Sequence, residues 1–340
     1  MVTKKVAFAD DHRIEQGMEV LKTIVPALHQ EEIFGHRRWS CAARTPKVIF
    51  DKMLASFKEI FGEIERSHDK ESKFRELSRM LFKNTAKPLP LPGNRSMSEY
   101  ADLFTGRLTR WETAGALLAA FALSKPNRDL SKRNALEELS KPPSWKATVD
   151  LTNVCLGFCD DSGSINDIIL WILKENFVVQ TLLYGDASYP AWKRVGDISS
   201  CLFALGLHQQ IKVTPEVPRW LAELRKHNLM FAYSIDKSMA VFVGRPPRIN
   251  RRYIRLDIPM CLAEDELALP PAELEYLIAQ RGGAIWNPDN IETFLGSYAA
   301  NINANKNTFV MREEVSSSLV HHVWMSQIHR STSFILTSLL

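Results

Sequence analysis

Apolar residues recur along this chain three and four positions apart, the spacing that lines up one face of a helix, and strand-like alternation is scarce. The period predicts a helix over 14–25 through Met18, Leu21 and Val25, and another over 48–64 through Ile49, Met53, Phe57, Ile60, Phe61 and Ile64. Residues 66–75 are dense in charge and read as a solvated loop or helix face. Pro88, Pro90 and Pro92 force an extended passage and mark the best internal boundary. The run AGALLAAFALS after Thr113 predicts a buried helix whose alanines permit close packing, capped by Thr113 or an earlier residue. Residues 126–145 are polar and read as a loop or short exposed helix.

Asp160 to Ser164 forms a turn, and Asn166-Asp167 opens the next helix. There Ile168, Leu170, Trp171, Leu173, Phe177, Val178 and Leu182 are apolar almost all round, as in a central helix. The strongest helical signal follows Pro218, with Trp220, Leu224, Phe231, Ile235, Met239 and Phe242 on one side. Gly244 ends it at a position suited to positive φ, and Arg245-Pro246-Pro247-Arg248 cannot be helical. Asp236 and Lys237 sit in its second half, where an unpaired charge is costly. Asp236 is therefore expected to accept hydrogen bonds from backbone amides or from an arginine of 245–255, a run with five arginines and no acid. Beyond it, Pro270-Pro271 opens a short amphipathic helix, and further helical pieces are expected after residue 309.

Composition agrees with the pattern: 340 residues, 45% hydrophobic and 24% charged, suit a large helical core or two packed subdomains. The net charge of +4 permits contact with nucleic acid without arguing for it. No apolar run approaches the ~18 residues of a membrane span, so no membrane partner is expected. Cys41, Cys155, Cys159, Cys201 and Cys261 are scattered, which disfavours a disulfide framework; Cys155 and Cys159, one turn apart, read as small core residues. The sequence contains no CxxC, GxGxxG, GxxxxGK[ST] or GxSxG. Glu112 has no second titratable group tied to it by spacing, Asp160-Asp161 reads as turn acids, and His208 reads as a buried histidine bonded to backbone. His321, His322 and His329 have no acid or cysteine at ligand spacing, so no metal is expected.

Several pieces then fall in one order along the chain. Asn84-Thr85, Pro88 and Leu89 come first. Phe104-Thr105-Gly106 and Arg110-Trp111-Glu112 follow, then Tyr189, Trp192, Gly196, Leu202 and Gly206-Leu207-His208. Asp236-Lys237, Gly244-Arg245-Pro246-Pro247 and Asp257-x-Pro259 close the set, with a weaker Gly-Trp-Asn match at 283–287. Together they resemble the middle homology region of fungal zinc-cluster transcription factors. The resemblance covers about residues 80 to 340 and implies an all-α, multi-helix regulatory domain. It implies an N-terminal helical segment over 1–92, the homology core over 93–262 and a C-terminal extension over 263–340.

The structural signature it carries over is Arg110, Trp111, Glu112, Trp192, Gly206, His208, Asp236, Gly244, Arg245, Pro246 and Pro247. The function it implies is transcriptional control in the nucleus, with a small-molecule effector and a homodimer or co-regulator as partners. Trp171, Phe177, Phe203, Trp220, Phe231 and Tyr233 are the expected effector-pocket residues, with core packing as the other reading of each. The family binds DNA through a six-cysteine zinc cluster that this sequence does not contain, so no cofactor is expected and DNA would be reached only through another module. That leaves a truncated chain, a short paralogue acting through a partner, a partner-binding adaptor, or a cofactor-independent isomerase or cyclase on the same scaffold. Cytoplasmic location is the alternative to the nucleus.

Overall fold

The apolar stripes fold into helices, several of them started by recognisable capping chemistry. In the computed structural model the described residues are 10–28, 45–124, 145–255, 259–260 and 262–281. Helices α1 (Asp11–Leu28) and α2 (Lys47–Arg66) carry the first two stripes; Ile49, Met53, Phe57, Phe61 and Ile64 of α2 are all buried. The charged segment after Arg66 becomes α3 (Lys70–Thr85), started by Asp69, whose carboxylate accepts from the Ser72 amide at 3.0 Å. A capping box between Ser96 and Glu99 nucleates the short α4 (Met97–Ala101).

Helix α5 (Trp111–Ser124) follows, then α6 (Trp145–Asp161) and α7 (Asp167–Tyr184), which Asn166 caps through the Ile169 amide. Ser188 caps α8 (Tyr189–Ala204), with Pro190 in its first turn. Pro218 stands at the N-cap of α9 (Arg219–Val243) rather than inside its first turn. The short α10 (Glu264–Leu267) and α11 (Pro271–Gln280) complete an all-α architecture with no strand among the described residues.

Alanine decides where the helices cross. Ala114, Ala116, Ala119 and Ala120 of α5 are buried, and a side chain at Gly115 would press on Cys155 of α6 and Ile172 of α7. Helix α5 is therefore gripped by α6 and α7 on one side, while α1, α2 and α3 contact it elsewhere. Phe82, Trp111 and Phe158 tie α3, α5 and α6 through ring contacts of 4.7–5.1 Å. Helix α8 packs on α7 with one face and on α9 with another. One apolar core runs from Ile14 to Ile278, across the boundaries at 92/93 and 262/263.

Thr113 does not cap α5; it lies inside the helix and its hydroxyl donates to the Phe104 carbonyl at 3.0 Å. Cys155, Cys159 and Cys201 are buried thiols, and burial raises the pKa of each. No helix among the described residues is long and apolar enough to cross a membrane. Cys41, residues 126–144, Asp257, Cys261, the Gly-Trp-Asn match and everything after residue 281 lie outside the described residues.

Candidate functional site

Three helix ends meet around one carboxylate. Glu112 is fully buried. Its Oε1 accepts from Arg110 Nε (3.1 Å) and Nη2 (2.9 Å), from Ser164 Oγ (2.7 Å) and from Asn166 Nδ2 (2.9 Å). Its Oε2 accepts from Thr85 Oγ1 at 3.0 Å, and that hydroxyl accepts from the Trp111 amide at 2.9 Å. Arg110 also donates to the carbonyls of Thr85 and Lys87, at 3.1 and 2.8 Å, and Asn84 donates to those of Arg107 and Thr109. With donors on both oxygens and no solvent, Glu112 acts as a clasp joining α3, α5 and α7.

A second cluster gathers the residues around the Gly-Arg-Pro-Pro turn. Gly244 adopts φ 64° and ψ 32°, and the amides of Gly244 and Arg245 both donate to the Ala240 carbonyl. The exposed Pro246 and Pro247 carry the chain back along α9. Asp236 then receives the amides of Arg248 and Ile249, both at 2.8 Å, while Lys237 bridges its carboxylate and the Ile249 carbonyl. The charge in the apolar helix is thus held by the returning backbone.

The same return places the guanidinium carbons of Arg245 and Arg248 at 4.5 and 3.9 Å from the centre of the Trp192 ring on α8. Gly196, one turn beyond Trp192, leaves the space that Arg248 fills; a Cβ there would stand 2.8 Å from its Cζ. Gly206 has φ 71° just beyond the end of α8. His208 is half-buried, with its ring against Phe203 at 5.3 Å. Its tie to the backbone is made by its carbonyl, which accepts from the Arg255 amide at 2.9 Å; ring Nδ1 has no partner among the described residues.

The six aromatic residues expected around an effector are spread through the packing. Trp171, Phe177 and Trp220 are fully buried; the Trp220 Nε1–H donates to the Arg95 carbonyl at 2.8 Å, and its ring meets Tyr100. Phe177 meets Phe231 edge-on at 6.5 Å, Phe203 meets His208, and Tyr233 lies under Lys237.

A cleft of about 730 Å³ lies elsewhere, between α6, α7 and α8. None of those six residues lines it. Leu156, Ile169 and Leu173 form apolar wall, and Asn153, Gln180 and Arg194 bring polar groups to it. Asp160, Lys193 and Asp197 add charge. Burial, then the nearby Asp197, raises the Asp160 carboxyl above its ordinary pKa, and burial lowers that of Arg194. No group of three or more His, Cys, Asp or Glu is arranged to hold a metal ion among the described residues.

Sequence reading passed over the polar residues of α7. Asp167, Lys174, Glu175, Asn176 and Gln180 are all buried in a helix read as apolar. Asp167 pairs with Arg225 of α9 through bonds of 2.8 and 2.9 Å, and Lys174 donates to Asn228. Asn176 and Gln180, four apart and separated by Phe177, Val178 and Val179, were the available signal. No family model, curated protein or solved structure matches the chain.

Proposed function

We propose that the chain is an effector-responsive regulatory domain of the fungal zinc-cluster regulator type, acting in the nucleus through a dimer or co-regulator. The observation that supports this best is the Trp192 assembly. Trp192 and Gly196 from one segment, and Arg245 and Arg248 from another about fifty residues on, are fitted to one another by contact and by space. Helix α8 carries both that assembly, through Trp192 and Gly196, and a wall of the cleft, through Lys193, Arg194, Asp197 and Cys201. Occupation of the cleft would therefore bear on the turn through a single rigid element.

A second reading, the cofactor-independent isomerase or cyclase, draws on Asp160 and Asp197, two carboxyls in one cleft with the Asp160 pKa raised. Against it, Asp197 is already paired with Arg194 at 3.0 Å.

The full chain fused to a heterologous DNA-binding module in a yeast reporter strain tests the choice. The regulatory reading expects output different from the module alone. It also expects Arg248→Ala to move that output at equal protein level, and Asp160→Asn to leave it in place. Output equal to the module alone, for both the parent and Arg248→Ala fusions, would overturn it.

A further inference from the structure

The five arginines of 245–255 differ from arginines elsewhere in the fold. Arg110 is matched by Glu112, Arg194 by Asp197, Arg219 by Glu275 and Arg225 by Asp167. Arg245, Arg248, Arg251, Arg252 and Arg255 have no carboxylate partner among the described residues. Asp236, the acid this segment touches, is held by the Arg248 and Ile249 amides and by Lys237. Arg245 is half-buried; the other four are exposed.

Observed contacts lay these residues out along α8. At one end Arg248 stacks on Trp192, whose ring meets Tyr189 at 5.9 Å. At the other, the Arg255 amide donates to the His208 carbonyl, beyond the last turn of α8. From Trp192 to Ala204 that helix rises roughly 18 Å. Between the two anchors the chain makes one 3-10 turn, Arg251–Tyr253, started by the Asn250 side chain on the Arg252 amide at 2.9 Å. Arg251 is tied through Nη1 to the Ile254 carbonyl at 2.9 Å, while the Arg252 and Arg255 guanidinium groups have no partner among the described residues. Two rings stand in solvent on the same strip: Tyr253 is 71% exposed and Tyr189 62%.

Unmatched guanidinium groups in series suit a chain of phosphates. The exposed rings narrow the choice of chain. A duplex keeps its bases stacked inside, and an acidic peptide has none, so either could use only the arginines. A single strand offers both phosphates and free base faces. We propose that the strip from Tyr189 to Arg255 is a binding surface for a single-stranded polynucleotide, with the arginines on its phosphates and the exposed tyrosines under its bases. RNA and DNA share that chemistry. The inference stands on the strip alone and does not need the regulatory reading.

The full chain is titrated into fluorescent oligo(dT), oligo(U) and an abasic strand with the same number of phosphates, with anisotropy as the readout. The abasic strand is expected to bind about tenfold more weakly or worse, because it cannot stack. Added salt should weaken oligo(dT) binding with a log–log slope of about −3, for four exposed arginines on a single strand. The double variant Arg252→Ala, Arg255→Ala should bring that slope to about −1.5. Tyr253→Ala should narrow the gap between oligo(dT) and the abasic strand. The double variant Lys70→Ala, Lys83→Ala removes the same charge from exposed positions on α3 and should bind as the parent does. Binding of either oligo(dT) or oligo(U) supports the surface, and a preference between them names the source.

The surface would be overturned if the abasic strand, or oligoglutamate of equal charge, bound as tightly as oligo(dT). A duplex bound more tightly than its single strands would also overturn it, as would equal weakening by the arginine and lysine pairs. Should the arginine pair fail to fold, Tyr253→Ala and the abasic comparison decide.

Discussion

A buried carboxylate is worth what its removal leaves unpaired, and Asp236 is the clearest case in this chain. It holds two amides of the returning backbone and one ammonium, in a helix otherwise lined with Ile235 and Met239. Asp236→Ala strands the Arg248 and Ile249 amides and leaves Lys237 beside an apolar wall. We expect a loss on the order of 1–3 kcal/mol in chemical denaturation. Asp236→Asn keeps one acceptor oxygen and should fall between. Parent-like melting of Asp236→Ala would mean the turn is held by Gly244 and the two prolines alone. Asp236 was legible because a lone acid in an apolar stripe needs a partner, and backbone amides were one of the two kinds expected; which amides, those of Arg248 and Ile249 twelve and thirteen residues on, was visible only in space.

At the scale of elements, two glycines separate helix contacts that look alike in sequence. Gly17 of α1 faces a rigid surface: a Cβ would stand 2.6 Å from Trp111 Cζ2 and press on Ser78. Both neighbours are buried, and Trp111 is locked between Phe82 and Phe158. Gly196 of α8 faces the end of a flexible arginine instead. Gly17→Ala should therefore cost about 1–3 kcal/mol by overpacking. Gly196→Ala should cost less, by displacing the Arg248 guanidinium, and should change Trp192 fluorescence. Equal destabilisation by the two would show that the Arg248 stack is as rigid as the aromatic core.

The helices themselves were legible, since a period of three and four leaves little choice of element. Their caps were less so: Thr113 has the right residue type at the right distance, but Phe104 offers its hydroxyl a carbonyl. The cleft was least legible, because aromatic residues mark buried area wherever it lies. Here that area is core, while the cleft is made by Gly157, Gln180 and Arg194, which carry no pocket-like pattern.

For the whole molecule, the question is whether the prolines at 88, 90 and 92 divide anything. Sequence places a boundary there, and residues 87–92 do run without helix. Yet α1, α2 and α3 share one apolar core with α5 to α9, and the Glu112 clasp joins residues on both sides of the prolines through Thr85, Arg110 and Asn166. A chain of this size can unfold in steps when its parts hold separate cores, and in one step when they do not. One step is expected, with far-ultraviolet circular dichroism and tryptophan fluorescence melting together.

Glu112→Gln sharpens the test. It removes the charge that compensates buried Arg110 and turns one acceptor into a donor among donors, a change worth about 3–5 kcal/mol for a broken buried pair. If the clasp serves the whole core, both signals should shift to lower denaturant by the same amount and remain superimposed. If the segment before residue 93 folds by itself, the variant should separate them, with one transition moving and the other staying at the parent midpoint.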